Sequence, residues 1–316
     1  MIRPAILLTG KIPSSVLASL ESLGDVDRYH EAGVDVMPRD QLVARVAGKQ
    51  ALVCMITDVV GAAVIQAGTE LKVIANAAVG YNNIDVSAAR ARGVIVTNTP
   101  GVLTDATADL AWALILGITR RIGEGERLVR QGAWKGWTFD FMLGSEVRGK
   151  QLGIVGYGGI GRAVAKRGRA FGMRIAYTSR TPKNDPDADA MPLDRLLATS
   201  DVVSMHCPLT PETTHLIDQA ALARMKRSAY LINTARGPVV DEKALAWALR
   251  TRIIAGAGLD VFEHEPNVEP ELLTLENVML VPHLGSGTVE TRTAMADLAV
   301  RNVEAVLSGQ PPLTPV

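Results

Sequence analysis

The sequence comprises 316 residues, of which 47% are hydrophobic, and its 33 basic residues balance 33 acidic ones. This length and apolar content predict about two globular domains with substantial cores, which excludes a disordered chain. Zero net charge provides no overall field to attract nucleic acid or an anionic membrane. The two cysteines, Cys54 and Cys207, match neither a disulfide framework nor a metal-ligand pattern. The longest apolar run, residues 110–118, is under half a membrane span, so we expect a soluble cytosolic protein.

Short apolar segments alternate with amphipathic ones over the first hundred residues. The predicted strands are AILLTG, ALVCMIT, KVIANAAVG and GVIVTN. Such alternation is typical of parallel strands joined by crossover helices. Pro100 and Gly101 then interrupt the pattern before about five turns of amphipathic helix that begin near residue 104. We place a domain border at this interruption.

A second series of apolar segments predicts another sheet. Its six strands are QLGIVG, RIAYTS, DVVSMHC, AYLINT, IIAGAGLD and VMLVPH, a number that suits one doubly wound sheet. A closing helix at roughly residues 287–308 is too long for a linker, and we expect it to pack on the first domain. The predicted division is residues 1–98 plus 285–316 for one domain and residues 99–284 for the other.

A glycine-rich turn lies between the first strand and first helix of the second series. In QLGIVGYGGIGRAVAKRGRAFGM, the spacing of Gly156, Gly158 and Gly161 follows G-x-G-x-x-G. Glycines permit a tight turn and a close approach to pyrophosphate, and the helix N-terminus offers free N–H groups to the anion. The pattern alone is weak evidence, but its position between a strand and a helix favours dinucleotide binding. The alternative is a glycine-rich turn that binds no ligand.

The turn after the next strand, in IAYTSRTPK, bears on the choice of coenzyme. An acidic residue is expected near this place to bind the adenosine ribose, yet no Asp or Glu lies between Gly161 and Asp185. Ser179 and Thr181 can donate hydroxyl hydrogen bonds, and Arg180 can stack on adenine or bind a phosphate. We therefore predict NADPH over NADH. The alternative is a solvated basic turn in an enzyme that accepts both NADP and NAD.

Three later strands are each followed by chemically active side chains. LINTARGPVV contains Arg236, GLDVFEHEP contains several acids, and VMLVPHLGSGT contains His283. Ligands bind at the carboxyl ends of strands in such sheets. A histidine after a strand is more often structural than catalytic, and the other histidines remain candidates: His30, His206, His215 and His264.

Several motifs in order carry a family resemblance over essentially the whole chain. The ordered set VGYNNID, ATADLA, GIVGYGGIGR, CPLTPETTHLI, INTARG, GAGLDVFEHEP and PHLGS resembles the D-isomer-specific 2-hydroxyacid dehydrogenases, and within them the glyoxylate and hydroxypyruvate reductases. The resemblance implies an α/β fold in which a Rossmann coenzyme domain is inserted in a flavodoxin-like substrate domain, both with doubly wound parallel sheets. It also implies a two-fold homodimer through the coenzyme domains, which the apolar helix near residues 104–121 would support.

The resemblance further implies a catalytic trio, which falls on Arg236, Glu265 and His283. The spacing selects Glu265 over Glu263 and Asp260, a choice that composition leaves open. Reduction of a 2-keto acid places negative charge on the carbonyl oxygen, so an acid must supply a proton, and His283 is the candidate. An ionised Glu265 would orient the ring and favour its protonated form. Arg236 would bind the substrate carboxylate and polarise the keto group.

Binding residues follow from the same resemblance. The backbone N–H groups of Val79 and Gly80 are expected to bind the substrate carboxylate. The expected coenzyme contacts are Thr107, Gly156, Tyr157, Gly158, Gly159, Ile160, Gly161, Ser179, Arg180, Thr181, Cys207, Pro208, Thr234 and Asp260. We interpret Cys207 as an apolar strand-end residue because hydride transfer needs no nucleophile. In GAWKGWTFDF, Trp137 either reaches the partner's active site or packs in the core. The chain departs from the family at Asn82, where aspartate is frequent, and at Tyr157, where leucine is.

The leading functional hypothesis is therefore an NADPH-dependent reductase of small 2-keto acids, which converts glyoxylate to glycolate and hydroxypyruvate to D-glycerate. One alternative is a superfamily member acting on a larger or phosphorylated acid, such as 2-ketogluconate or 3-phosphoglycerate. Another is a dinucleotide-sensing corepressor, which would bind the coenzyme without consuming it.

Overall fold

The structure is a computed structural model that describes residues 3–29, 36–181 and 183–316. The chain divides into two compact units: Met1–Leu103 with Gly287–Val316, and Thr104–Ser286. Among the helices in the described ranges, none has both the length and the apolarity needed to cross a membrane. His30, one of the alternative histidines, lies outside the described residues.

The first unit contains a five-stranded parallel sheet. Its strands are β1 (Ala5–Leu8), β2 (Asp25–Arg28), β3 (Ala51–Cys54), β4 (Val73–Asn76) and β5 (Ile95–Thr97), and its helices before residue 103 are α1 (Ser14–Leu23), α2 (Arg39–Arg45), α3 (Ala62–Ala67) and α4 (Val86–Ala91). The spatial order β2-β1-β3-β4-β5 is that of flavodoxin-like sheets. Strands β3 and β4 are buried along their whole length, as continuous apolar runs predict for a sheet covered on both faces.

Strand β2 was not among the predicted strands. Its sequence, DVDR, has no apolar run, and both its ends are exposed. It pairs with β1 alone, so it forms an edge of the sheet, where charged residues are tolerated and protect against further pairing.

The second unit contains a seven-stranded parallel sheet. Its strands are β6 (Gln151–Val155), β7 (Arg174–Thr178), β8 (Asp189–Ala190), β9 (Val202–Met205), β10 (Tyr230–Asn233), β11 (Gly256–Leu259) and β12 (Val278–Leu280). Its helices are α5 (Thr104–Thr119), α6 (Ile122–Arg130), α7 (Gly159–Ala170), α8 (Leu193–Thr199), α9 (Gln219–Arg224) and α10 (Glu242–Arg250). The spatial order is β12-β11-β10-β9-β6-β7-β8. Successive strands are added on one side of β6 up to β8 and then on its other side from β9 onward, which is the Rossmann arrangement. The predicted α/β class is confirmed, with the two-residue β8 as an additional edge strand.

Helix α5 is amphipathic, as predicted, and its support for a dimer stays a prediction. Its apolar side chains pack inside the second unit, with Trp112 and Ile115 in the cluster beneath β6 and α7. Its polar exposed positions Asp105 and Asp109 accept hydrogen bonds from Arg167 of α7 at 3.1 and 2.7 Å. The helix is apolar because it is buried within its own domain.

The last helix returns the chain to the first unit. Helix α11 (Val289–Leu307) packs Ala296, Val300 and Val303 into a cluster with side chains of β1, β3 and β4. The fully buried Asn302 accepts hydrogen bonds from the N–H groups of Leu313 and Thr314 at 2.9 and 3.1 Å. These bonds fix the segment that follows α11 beside β5, where the N–H of Val316 donates to the carbonyl of Val96 at 3.1 Å.

Candidate active site

The glycine loop joins β6 to α7 at the point where the strand order of the second sheet switches from one side of β6 to the other. Gly156 has φ +95°, and a Cβ atom there would lie 2.5 Å from the backbone nitrogen of Cys207. A Cβ atom on Gly161 would lie 2.2 Å from the carbonyl oxygen of Gly156. Both glycines are therefore required by the packing of the loop against itself and against the end of β9.

The N-terminus of α7 has the features of an anion site. No side chain caps this end of the helix within the described residues, and a Cβ on Gly158 would meet open space. Gly158 and Gly159 are exposed and Ile160 is half-buried, while Gly161 is buried. Helix N–H groups without acceptors and the positive end of the helix dipole together suit a pyrophosphate group. The loop thus fits a dinucleotide.

Tyr157, inside the glycine motif, directs its side chain into the domain. Its ring is 1% exposed and stacks on Tyr177 with 4.1 Å between ring centroids. The Tyr157 hydroxyl donates to Asp185 at 2.6 Å, and burial together with this bond raises the pKa of Tyr157 to about 12. The expected coenzyme contact of Tyr157 is therefore limited to its backbone.

Asp185, the first acid after the glycine motif, is already paired. Besides the Tyr157 hydroxyl, its carboxylate accepts two hydrogen bonds from Arg169, both 2.8 Å long. The Tyr157 bond is the largest cause that lowers the pKa of Asp185, and Arg169 acts in the same direction. Ser179 donates to the carbonyl of Thr181 at 2.7 Å, and Arg180 is exposed. The turn after β7 therefore presents hydroxyl and guanidinium groups, while its acid is occupied elsewhere.

His283 and Glu265 form a hydrogen-bonded pair after β12 and β11. The Nδ1 atom of His283 lies 2.8 Å from Oε2 of Glu265, and each side chain is 33% exposed. The other carboxylate oxygen, Oε1, accepts the N–H of Phe262 at 3.0 Å. Burial raises the pKa of Glu265, but His283, the Phe262 N–H and the nearby Arg236 outweigh it, so the pKa is lowered overall. Glu265 is thus an ionised partner that orients the imidazole.

Asp260 fixes the loop that contains His283 by accepting hydrogen bonds from its backbone. The side chain is 1% exposed, and its two oxygens accept the N–H groups of Leu284 and Gly285. The N–H of His283 donates to the Asp260 carbonyl at 2.9 Å. Burial is the largest cause that raises the pKa of Asp260. The coenzyme contact of Asp260 remains a prediction. Its bonds to the His283 loop depend on β11 and β12 being neighbours, so the acid-rich GLDVFEHEP segment does not reveal them in the sequence.

Arg236 lies after β10, next to the same edge of the sheet. Its side chain donates to the carbonyl of Ala235 at 2.6 Å. Burial lowers the pKa of its guanidinium, and the negative charge of Glu265 acts in the opposite direction. An arginine remains cationic despite such a shift. The second unit therefore brings a cation, a carboxylate and an imidazole to the carboxyl ends of β10, β11 and β12.

The remaining described histidines have other partners or surroundings. His206 contacts Ser204 through Nε2 at 2.8 Å, and burial lowers its pKa to about 3. His215 contacts Glu263 through Nε2 at 2.9 Å, a bond that raises the pKa of His215. His264 is exposed. Glu263 also accepts the N–H of Glu242 at 2.8 Å, so its carboxylate fixes the loop after β11 to the start of α10. Glu263 therefore contacts His215, whereas Glu265 contacts His283.

Four further predicted coenzyme contacts lie near the same strand ends. Thr107, on α5, is 4% exposed and donates to the carbonyl of Gly285 at 3.1 Å. Cys207 is 9% exposed, and burial raises its pKa to about 11, so it is an apolar thiol with no thiolate character at neutral pH. Pro208 is exposed. The Thr234 hydroxyl is buried without a hydrogen-bond partner among the described residues.

Val79 and Gly80 lie in the first unit, on the loop after β4, and both are half-buried. Their carbonyl groups accept hydrogen bonds from Asn98 and Asn76 at 2.8 and 2.9 Å. Their N–H groups have no acceptor within the described residues. Two unpaired N–H groups in succession are suited to bind a carboxylate.

Trp137 is 75% exposed and contacts Phe139 edge-to-face, with 6.4 Å between ring centroids. The alternative that it packs in the core is therefore wrong. Other apolar side chains of this segment are also exposed, namely Trp134, Phe141 and Leu143.

Comparisons with known proteins agree with this architecture. The family model for the D-isomer specific 2-hydroxyacid dehydrogenase, NAD binding domain, matches residues 112–285. A glyoxylate reductase of Thermococcus litoralis is 46% identical over 318 residues, covering 98% of this chain and 96% of the relative. The glyoxylate reductase of Pyrococcus furiosus is 45% identical and covers 99% and 95%.

Two solved structures are also similar over their full lengths. A protein of Thermus thermophilus superimposes with a TM-score of 0.93 at 45% identity, covering 99% of both chains. The NADPH-dependent glyoxylate/hydroxypyruvate reductase of Sinorhizobium meliloti, solved in complex with NADP and malonate, has a TM-score of 0.91 at 39% identity, covering 99% of this chain and 97% of that chain.

The fold and the glycine loop define a nicotinamide-dinucleotide-dependent oxidoreductase. The chain belongs to the family of D-isomer specific 2-hydroxyacid dehydrogenases, which confirms the resemblance found in its motifs.

Proposed function

We propose that this enzyme is an NADPH-dependent reductase of glyoxylate and hydroxypyruvate, with His283 as the proton donor. The observation that carries the proposal is the pair formed by His283 and the ionised Glu265, 2.8 Å apart, at the same sheet edge as Arg236. The similarity to glyoxylate reductases from several archaea supports the choice of a small 2-keto acid.

Each residue of the trio has a distinct task in the proposed reaction. The bound nicotinamide supplies the hydride that reduces C2 of the substrate. Arg236, forked and permanently charged, binds the substrate carboxylate and stabilises negative charge on the keto oxygen. His283 donates its proton to that oxygen, and Glu265 holds the ring so that Nδ1 faces the carboxylate and Nε2 remains for the substrate. The N–H groups of Val79 and Gly80 also bind the carboxylate.

The role of His283 is tested by replacement with alanine. We expect His283→Ala to reduce glyoxylate turnover by about two to four orders of magnitude, the usual contribution of general acid catalysis, with NADPH affinity nearly unchanged. His264→Ala provides the control because this histidine is exposed. Turnover and coenzyme binding are measured separately, by NADPH consumption and by fluorescence titration. Wild-type turnover in His283→Ala would exclude His283 as the acid.

The preference for NADPH is supported by the turn after β7. Arg180 is exposed there, and Asp185 is held by Arg169 and Tyr157, so the nearest acid is not available to bind a ribose diol. A 2′-phosphate would be bound by Arg180 with the hydroxyl groups of Ser179 and Thr181. The S. meliloti relative is described as NADPH-dependent, which favours the same assignment.

The coenzyme preference is tested by turnover at limiting NADPH and NADH. We expect at least about a tenfold higher kcat/KM with NADPH, and Arg180→Ala should lose most of this ratio because one charge-assisted bond contributes about that factor. Arg162→Ala, on α7, is the control for loss of a positive charge. A tenfold preference of the wild type for NADH would refute the assignment, and hydroxypyruvate and 2-ketogluconate in the same assays would rank the substrates.

The assembly is proposed to be a homodimer. The exposed aromatic segment at residues 134–143 favours this because large apolar side chains on a protein surface mark interaction sites. Trp137 would then contact the partner subunit.

A further inference from the structure

Three consecutive carbonyl groups on the loop after β4 are held by donors from elsewhere in the first unit. The carbonyl of Ala78 accepts the N–H of Thr99 at 2.9 Å. The Val79 carbonyl accepts Nδ2 of Asn98 at 2.8 Å, and the Gly80 carbonyl accepts Nδ2 of Asn76 at 2.9 Å. An ordinary loop rarely has each of its successive carbonyls fixed in this way, since most loop carbonyls face water.

Fixing a carbonyl also fixes the N–H of the next residue. In a planar trans peptide, the C=O and N–H bonds point in opposite directions. The bond from Asn98 therefore directs the N–H of Gly80 away from Asn98, and the bond from Asn76 directs the N–H of Tyr81 away from Asn76. None of the N–H groups of residues 79–81 has an acceptor in the described part of the chain. The loop thus presents a series of oriented donors.

The two asparagines are themselves fixed, so the orientation is built in before any ligand binds. Asn76 is fully buried, and its Oδ1 accepts weak hydrogen bonds from Nδ2 of Asn83 at 3.5 Å and from the Cys54 thiol at 3.6 Å. Asn98 is 9% exposed, and its backbone carbonyl accepts the hydroxyl of Thr314 at 2.6 Å. The Asn76 amide therefore cannot rotate without losing its bonds, and the Asn98 backbone, from which the other amide extends, cannot shift without losing its own.

We propose that Asn76 and Asn98 are positioning residues for the substrate carboxylate and that the Tyr81 N–H is a third donor to it. This inference rests on the proposed function, in which the N–H groups of Val79 and Gly80 bind that carboxylate. The asparagines do not touch the substrate. They align the peptide groups beforehand, so that the anion does not have to order the loop when it binds.

The test replaces each asparagine by leucine, which has a similar shape and no donor. Malonate, a carboxylate that cannot be reduced, is the probe, and its dissociation constant is measured by calorimetry with NADPH bound. We expect Asn98→Leu to weaken malonate about tenfold, because a misaligned peptide loses one charge-assisted hydrogen bond. NADPH affinity should change less than about twofold, since no coenzyme contact depends on this loop.

Asn277→Leu is the matched control. The amide of Asn277 also donates to two backbone carbonyls, those of Leu249 and Ala255, both at 3.2 Å, but it lies in the second unit. The Asn277→Leu variant should bind malonate and NADPH with wild-type affinity. Wild-type malonate affinity in Asn98→Leu would overturn the proposal, and so would an equal loss of malonate and NADPH affinity. Asn76→Leu is measured in the same way if Asn98→Leu does not fold.

A measurement on the wild-type protein separates this inference from the function on which it rests. Malonate should shift the amide resonances of Val79, Gly80 and Tyr81. If none of the three shifts, the carboxylate site itself is wrong. If they shift while both leucine variants bind malonate normally, only the positioning role is overturned.

Discussion

His283 has a backbone conformation that most side chains avoid. Its φ is +51°, in the left-handed region, which costs a residue with a Cβ atom roughly 1–2 kcal/mol. The surrounding bonds hold it there: its N–H donates to the carbonyl of Asp260, and the carboxylate of Asp260 accepts the next two N–H groups. Strain of this kind clusters at functional sites, where neighbouring structure compensates for it. The imidazole is thereby aimed by the backbone as well as by Glu265.

His206 leads to a prediction about acid stability. Its pKa falls from the ordinary 6.5 to about 3 because its half-buried ring is desolvated, with Nδ1 buried and without a partner among the described residues. Below pH 6.5 the unfolded chain therefore takes up a proton that the folded protein does not bind. Stability should therefore decline as the pH falls from 6.5 towards 3, by up to about 1.4 kcal/mol per pH unit from this residue. His206→Gln removes this contribution. Urea unfolding at pH 7, 6 and 5 should show the wild type losing stability faster than the variant, and parallel losses would contradict the prediction.

The residues of the site differ in how far the sequence alone could assign them. Arg236, Glu265 and His283 follow strands and belong to recognisable motifs, so pattern and resemblance were enough to propose them. The bonds of Tyr157 and Arg169 to Asp185 could not be predicted, because the partners are far apart in sequence and meet only when α7 packs beside β7. The support of Asp260 for the His283 loop has the same origin, since it depends on the pairing of β11 with β12.

Among the secondary-structure elements, the connection between β6 and α7 is tightly packed at one glycine and open at another. A Cβ on Gly161 would meet the Gly156 carbonyl at 2.2 Å, whereas a Cβ on Gly158 would meet nothing within 4 Å. The two glycines have different functions: one permits the packing of the helix against the loop, and the other keeps the helix N-terminus open to a ligand.

This difference predicts opposite effects of two alanine substitutions. Gly161→Ala should destabilise the protein by about 1–3 kcal/mol, because the clash must be relieved by a backbone shift. Gly158→Ala should cost less than about 1 kcal/mol, as at other helix N-caps, but weaken coenzyme binding because its methyl group fills the open approach. Urea unfolding without coenzyme measures the first effect and NADPH titration the second. Equal unfolding midpoints for the two variants would contradict this account.

The fully buried strands were predictable from the sequence, and the exposed strands at the sheet edges were not. β3, β4 and β6 are buried throughout and were predicted from their apolar pattern. β2 and β8 lie at sheet edges with exposed charged residues, so their sequences carry no strand pattern, and each is defined by pairing with one neighbour. The apolar side of helix α5 was predictable from its pattern, but such a pattern does not show which element covers that side.

For the whole molecule, the exposed aromatic segment at residues 134–143 carries the prediction about assembly. Phe139 is 87% exposed, more than the other apolar residues of the segment. In a homodimer that buries this side chain, Phe139→Asp should weaken association by about 2 kcal/mol or more, because it replaces apolar contact with an unpaired charge. Sedimentation velocity at micromolar concentration should show a dimer for the wild type and a monomer for the variant. Lys135→Asp is the control for added negative charge, and a monomeric wild type would contradict the proposed assembly.

The first unit is assembled from distant parts of the chain, since residues 287–316 join residues 1–103. The segment after α11 is bound at three points: Asn302 holds Leu313 and Thr314, Thr314 holds the backbone of Asn98, and Val316 pairs with Val96. Proteolytic trimming of only the last four residues would therefore release the backbone of Asn98, although no catalytic group had been removed. The expected signature is a truncated enzyme with a raised KM for its acid substrate and a largely preserved kcat.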